Sequence, residues 1–69
     1  MRELKLNNSV YAISGCSFTC SWKRVYRDEK ILAHVPNTGT ALQVVYQDVH
    51  ENGGACEFLN IEDFIEVER

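Results

Sequence analysis

The segment that decides the fold class runs from residue 16 to residue 23 and is written Cys16-Ser17-Phe18-Thr19-Cys20-Ser21-Trp22-Lys23. Its even positions are apolar and its odd positions are polar. A period of two is typical of a half-buried β-strand, whereas a helix would spread these apolar side chains around its whole axis. Ser and Thr are also unfavourable inside helices. The pattern predicts one strand whose core-facing side chains are Cys16, Phe18, Cys20 and Trp22.

Short apolar segments bounded by turn-forming residues surround this strand. Residues 10–13 follow Asn7-Asn8-Ser9, and residues 31–35 lie between the charged turn Asp28-Glu29-Lys30 and Pro36. Asn, Asp, Ser and Pro each favour turns for a definite stereochemical reason. These segments are therefore predicted to be further short strands of the same sheet.

The longest predicted strand covers residues 41–49. Its centre, Val44-Val45-Tyr46, is apolar on both faces, and the Asn52-Gly53 pair that follows favours a type I′ hairpin turn. A two-residue loop at that place would pair Val49 with Cys56 and Tyr46 with Leu59. This hairpin is predicted to form the centre of the sheet.

The C-terminal segment predicts a helical turn followed by a closing strand. Asn60-Ile61-Glu62-Asp63 has the form of a helix N-cap with an acidic third residue, and residues 65–68 alternate. A strand, a single helical turn and a last short strand close SH3-like small barrels. The predicted fold is all-β: one domain over residues 1–69, a five- or six-stranded antiparallel barrel or highly bent sheet, SH3-like, with a helical turn near residues 61–64.

Thr38-Gly39, Val44-Val45-Tyr46 and Phe64 follow one another in the second half of the chain. In this order they resemble a small bacterial and phage domain family of unknown function. In that family a His-Thr-Glu-Thr-Gly-Glu turn precedes a Val-Val-Tyr strand, and a Trp-Val-Arg-Pro strand runs into a Met-Phe helical turn. The present chain departs from the family at the start of the turn and at the Trp-Val-Arg-Pro position, which is Glu57-Phe58-Leu59-Asn60 here. The resemblance implies a compact barrel and no activity.

Length and composition limit the class of protein. A chain of 69 residues forms one thin core, and no apolar run approaches the roughly 20 residues that span a bilayer. The first residues lack the continuous apolar core of a signal peptide. The number of cysteines, three, is odd, which favours a reducing compartment. The expected location is the cytoplasm.

The cysteines are predicted to pack as small hydrophobic residues. In one extended strand the Cα atoms of Cys16 and Cys20 would lie about 13 Å apart, at ~3.3 Å per residue, whereas a disulfide needs them within roughly 7 Å. A composite zinc centre formed by Cys16, Cys20, Cys56 and His50 stays open as an alternative, although the usual two-residue spacing is missing. No metal or other cofactor is expected. The sequence frames no combination of nucleophile, base and pocket, so it indicates a protein that is not an enzyme.

The charge distribution suggests how the protein binds a partner. Residues 1–30 carry six cations and three anions, whereas residues 31–69 carry one cation and seven anions. The favoured hypothesis is a protein-binding module, such as an accessory or inhibitory protein of a bacterium or mobile element. Phe64 and one face of Val44-Val45-Tyr46 would supply its apolar centre, and homodimerisation through that face is allowed. The acidic residues expected to steer the encounter are Glu57, Glu62, Asp63, Glu66 and Glu68.

The alternative hypothesis is a small nucleic-acid-binding barrel. In the segment from residue 22 to residue 27, aromatic side chains for base stacking alternate with cations for phosphate binding. Its candidate contact residues are Trp22, Lys23, Arg24, Tyr26 and Arg27. The net charge of −3 opposes this hypothesis, because it weakens long-range attraction to phosphates.

Overall fold

The computed structural model describes the backbone of residues 1–17 and 20–68, and the side chains of these residues other than residues 16, 17, 20 and 21. The first half forms four strands, β1 (Arg2–Leu6), β2 (Ser9–Ser17), β3 (Cys20–Arg27) and β4 (Lys30–Val35). A helix, α1 (Thr38–Glu51), follows, then a 3₁₀ turn (Ile61–Asp63) and a two-residue strand, β5 (Ile65–Glu66).

The five strands form one antiparallel sheet in the order β4-β3-β2-β1-β5. The prediction of a five-stranded antiparallel sheet is confirmed. The described strands form an open sheet, with β4 at one border and β5 at the other, and a barrel is not confirmed.

Two tight turns fix the register of the sheet. Asn7 and Asn8 connect β1 to β2 with φ angles of 49° and 69°, and Asp28 and Glu29 connect β3 to β4 with 50° and 69°. Positive φ at both central residues is the geometry of type I′ turns, whose twist matches that of the flanking strands. Both turns had been expected from the residue types, and their positions are confirmed.

The prediction of one strand over residues 16–23 is wrong. The chain reverses within this segment, because Ser17 at the end of β2 pairs with Cys20 at the start of β3. Cys16 and Cys20 therefore lie on different strands, and the separation of about 13 Å calculated along one strand does not apply. Phe18, predicted to face the core, lies outside the described residues, as do the side chains of both cysteines. The apolar–polar alternation of residues 16–23 predicted a single strand because the segment contains no Gly, Pro, Asn or Asp that would indicate a turn.

The predicted strand over residues 41–49 is also wrong, because this segment lies within α1. Its buried residues, Ala41, Leu42, Val45 and Val49, recur at the spacing of one helix face. Asn37 caps the helix: its side-chain oxygen accepts a hydrogen bond from the Thr40 N–H at 2.8 Å. Three valines give the segment a high β-propensity, but burial of one helical face decides its structure.

The predicted hairpin at Asn52-Gly53 is instead the C-terminal cap of α1. The Gly53 N–H donates to the His50 carbonyl at 3.2 Å, and the Gly54 N–H donates to the Val49 carbonyl at 2.9 Å. Gly53 has a φ of +80°, so these bonds form a Schellman motif. The type I′ prediction required positive φ at both residues, and it holds for Gly53 but not for Asn52, whose φ is −93°. A glycine with positive φ ends helices as readily as it turns hairpins.

The core lies between α1 and one face of the sheet. It joins the buried face of α1 to strand residues such as Tyr11, Ile13 and Val25, and to Leu59 and Phe64 from the C-terminal segment. The predicted helical turn near residues 61–64 is confirmed as the 3₁₀ turn, where the Asp63 side chain accepts a hydrogen bond from the Asn60 N–H at 2.9 Å. The fold thus has two layers, and α1 covers one side of the sheet.

Candidate protein-binding surface

The side of the sheet opposite α1 is the open face. Cross-strand pairing places Glu3, Ala12, Tyr26 and Ile31 in one row, and Ser14, Arg24 and His34 in the next. Side chains alternate between the faces of a strand, so these residues point away from the side that carries Ile13 and Val25. None of them belongs to the core cluster beneath α1. We define the open face by the following residues: Glu3, Lys5, Val10, Ala12, Trp22, Arg24, Tyr26, Ile31, His34 and Ile65.

Large apolar side chains are exposed on the open face. Trp22 is 42% exposed, Ile31 59% and Ile65 72%, and Val10 is also exposed. Among the described residues only one further large hydrophobic side chain, Phe58, is exposed, and it lies beside Tyr46 of α1. Scattered exposed hydrophobic residues are ordinary, but several on one face of a small domain indicate an interaction surface.

Trp22 lies on the open face and not in the core, where the sequence pattern had placed it. Its indole contacts the imidazole of His34 edge-on, with ring centroids 5.0 Å apart. The prediction was wrong because it continued the alternation of β2 into β3, whereas the reversal and the register shift after Gly15 reset it. In β3 it is Val25 that is fully buried.

A hollow of about 240 Å³, lined in part by Met1, lies on the open face towards the β3–β4 turn. Ala12 is only 5% exposed although it lies outside the core cluster, because longer side chains rise around its methyl group. Tyr26 and Val10 supply apolar walls. Two carboxylate residues, Glu3 and Glu29, line the same hollow. The combination of an aromatic ring with carboxylates suits a cationic side chain.

The predicted nucleic-acid segment divides between the two faces of the sheet. Trp22, Arg24 and Tyr26 lie on the open face, whereas Lys23 and Arg27 alternate to the side of α1. The structure therefore brings together only one of the three predicted cations with the two aromatic side chains.

Arg27 is bound to the helix. Its Nη1 donates to Oδ2 of Asp48 at 2.6 Å, and the Tyr11 hydroxyl donates to the same oxygen at 2.6 Å. Burial raises the pKa of Tyr11 to about 12, and the hydrogen bond to Asp48 contributes to this shift. The hydrogen bond to Asp48 also raises the pKa of Arg27. The three side chains hold α1 on the sheet, and this role removes Arg27 from the candidate surface.

The predicted acidic residues are all exposed, but two of them have local roles. Glu66 forms ion pairs with Arg2 at 3.3 Å and with the Met1 amine at 3.4 Å, and Asp63 caps the 3₁₀ turn. Three acidic residues are left for a partner: Glu57, Glu62 and Glu68. They lie in the segment that leads to and follows β5, next to the border of the open face at Ile65.

Phe64 was predicted to be an exposed apolar residue of the binding surface, and that prediction of exposure is wrong. Phe64 is 1% exposed and belongs to the core, and Val45 of α1 is fully buried. Val44 and Tyr46 are half-buried on the helix, where the Tyr46 ring contacts His50 with centroids 4.4 Å apart. Most of the large hydrophobic side chains that are exposed among the described residues lie on the open face.

No metal centre is found among the described residues, where no group of three or more His, Cys, Asp or Glu side chains comes together. Cys56 has a free, half-buried thiol. The two other cysteines of the composite zinc hypothesis, Cys16 and Cys20, have side chains outside the described set, and its histidine, His50, contacts the ring of Tyr46.

Comparisons with known proteins add no identification: the chain matches no protein-family model, no curated protein and no solved structure. Within the described residues, no helix has the length and apolar character that crossing a membrane requires.

Proposed function

We propose that the protein is a non-enzymatic protein-binding module that docks through the open face. The observation that carries this proposal is the concentration of Trp22, Ile31, Ile65 and Val10 on one side of the sheet, opposite the core. Burial of apolar surface contributes roughly 25 cal/mol per Å². A partner that covers these side chains therefore gains a large part of its binding free energy from them.

The acidic segment, defined here as residues 57–68 with Glu57, Glu62 and Glu68 exposed, would change the rate of association more than the affinity of the complex. Glu62 and Glu68 lie on either side of β5, whose Ile65 forms the border of the open face. Exposed charges at the rim of an interface mainly change the association rate and its dependence on salt. The segment thus favours a partner with cations next to its apolar surface.

The test uses a double variant on the open face, Trp22→Ser with Ile31→Ser, and a matched control, Phe58→Ser. The control removes a hydrophobic residue that is even more exposed and that lies beside Tyr46 of α1, away from the open face. We expect the wild type and the control to retain the same binding protein, whether from host lysate or as a second copy of the chain, and the double variant to lose it. Equal retention by all three proteins would contradict the proposal.

Binding of single-stranded nucleic acid is a second candidate, favoured by the alignment of Trp22, Arg24 and Tyr26 on one face of β3. Alternate residues of a strand lie about 6.6 Å apart, and aromatic side chains on a sheet can stack bases. Against it, Glu3 lies in the same row of the open face as Tyr26, and Arg27 is bound to Asp48.

Fluorescence anisotropy of a labelled oligonucleotide tests this candidate. It predicts binding at low salt that weakens steeply as salt is added, and that Arg24→Ala abolishes. The matched control is Lys23→Ala, which removes a cation from the opposite side of the sheet and should leave the affinity nearly unchanged. Absence of binding by the wild type at low salt would exclude this candidate.

A further inference from the structure

The open face carries charges of both signs: the carboxylates of the hollow, Lys5 in the row beyond Glu3, and Arg24 on the other side of Tyr26. Near the β3–β4 turn, Glu3 and Glu29 line the hollow beside Tyr26. Towards the other end, Arg24 lies opposite His34, which contacts Trp22. Arg24 and Tyr26 are two residues apart on one strand, so the cation and the hollow are separated by about 6.6 Å along β3.

This arrangement is complementary to itself. A two-fold axis can run parallel to the open face, midway between two facing copies. It would be perpendicular to the strands and pass over β3 between Arg24 and Tyr26. It would stack β3 antiparallel on β3 of another copy. Each Arg24 would then lie over the hollow of the other copy, where its guanidinium meets the Tyr26 ring and the carboxylates of Glu3 and Glu29. Cation–π contact and charge pairing both favour that position.

We propose that the occupant of the open face is a second copy of this chain, packed face to face in a two-fold dimer. The inference rests on the proposed function and specifies its partner. In this dimer the two sheets form a sandwich with α1 of each copy on the outside, which is the usual way for an antiparallel sheet to cover an apolar face.

A stable dimer would have to bury a definite share of the surface of each chain. A standard interface buries roughly 800 Å² on each partner, about a sixth of the 4657 Å² accessible surface of the chain. One side of a compact molecule supplies that share. An isologous contact of this kind uses the same patch on both subunits. The Arg24 of each copy therefore meets the hollow of the other copy in the same dimer.

The decisive experiment is a charge exchange followed by sedimentation velocity. Wild-type protein should sediment as a dimer. Arg24→Glu places a carboxylate over the acidic hollow, and Glu29→Lys places an ammonium under Arg24. Each single variant should therefore weaken self-association on the order of tenfold or more. In an equimolar mixture of the two variants, the introduced carboxylate faces the introduced ammonium and the unchanged Arg24 faces the unchanged hollow, so a heterodimer should form with much higher affinity than either variant's homodimer.

Circular dichroism melts of each variant verify that it is folded, and the mixing step itself requires folded proteins. Phe58→Ser is the control that should remain dimeric.

A wild type that stays monomeric at millimolar concentration, or a mixture that does not form heterodimers, overturns the inference. Neither result removes the proposed function, which fails only if the Trp22→Ser, Ile31→Ser variant also retains every partner of the wild type. A dimer that tolerates Arg24→Glu as a homodimer likewise overturns the inference.

Discussion

Asp48 of α1 lies 2.6 Å from the Nη1 of Arg27 in β3, and this ion pair joins the two layers of the protein. The same carboxylate accepts the Tyr11 hydroxyl from the neighbouring strand. One helix residue therefore contacts two strands of the sheet, and it does so on the side opposite the open face.

The Tyr11 contact predicts a loss of stability at alkaline pH. The pKa of Tyr11 is about 12 in the folded protein and 10.0 ordinarily, so folding favours the protonated phenol. Its contribution is fully present below pH 10 and is lost as the pH rises from 10 to 12. At ~1.4 kcal/mol per pKa unit, the difference between 10.0 and about 12 corresponds to a loss of about 3 kcal/mol.

Urea denaturation of the wild type and of Tyr11→Phe between pH 8 and pH 12 measures this effect. Other groups titrate in the same range in both proteins, so the quantity to follow is the difference in unfolding free energy. We expect the wild type to lose stability more steeply than Tyr11→Phe. Parallel pH profiles would show that the phenol is not coupled to folding.

The two phenylalanines at positions 58 and 64 should respond differently to truncation. Phe64 is 1% exposed and Phe58 is 71% exposed. Phe64→Ala leaves a cavity in the core and should lower the free energy of unfolding by about 3–5 kcal/mol. Phe58→Ala should change it by less than about 0.5 kcal/mol. Denaturant melts measure both values. A small loss of unfolding free energy for Phe64→Ala would show that Phe64 is not buried in the core.

The helix cap at Asn37 provides a test of the helical assignment of residues 38–51. Asn37→Ala removes the acceptor of the Thr40 N–H and should lower the free energy of unfolding by about 1 kcal/mol. Asn37→Ser keeps an acceptor at the cap and should recover most of that loss. If both variants are as stable as the wild type, Asn37 does not cap a helix.

Trp22 is the single tryptophan of the chain, so its fluorescence reports on the open face. In dilute solution its exposed indole should be quenched by acrylamide. At concentrations where two open faces pack together, the quenching constant should fall, because the indole becomes covered. Arg24→Glu should remain quenched throughout the same range. A quenching constant that does not change with wild-type concentration would argue against burial of Trp22 in a dimer.

The sequence predicted those features of the fold that depend on local chemistry. The turns at Asn7-Asn8 and Asp28-Glu29, the strand that ends before Pro36 and the capped turn at residue 61 each follow from backbone preferences of the residues involved. It failed at α1, because Val44, Val45 and Val49 favour strands, while the helical period of the buried residues becomes decisive only when a sheet is present to cover them.

The residues of the candidate surface were predicted only in part, for a related reason. Trp22, Arg24 and Tyr26 were identified as one segment, but which side of the sheet they occupy depends on the reversal between Ser17 and Cys20. Ile31 and Val10 were missed as exposed residues, although the Asp28-Glu29 turn places Ile31 opposite Tyr26. Counting outward from that turn would have found Ile31.

The borders of the sheet determine what kind of assembly is open to this molecule. At one border β5 is two residues long and carries Glu66; at the other, β4 begins at Lys30, ends before Pro36 and has an irregular register with β3. Short, charged or bulged edge strands are poor templates for another strand. Addition of chains edge to edge, the route by which exposed sheets grow into fibrils, is thereby discouraged. A contact made by the face closes on itself, so association would stop at a soluble particle of defined size.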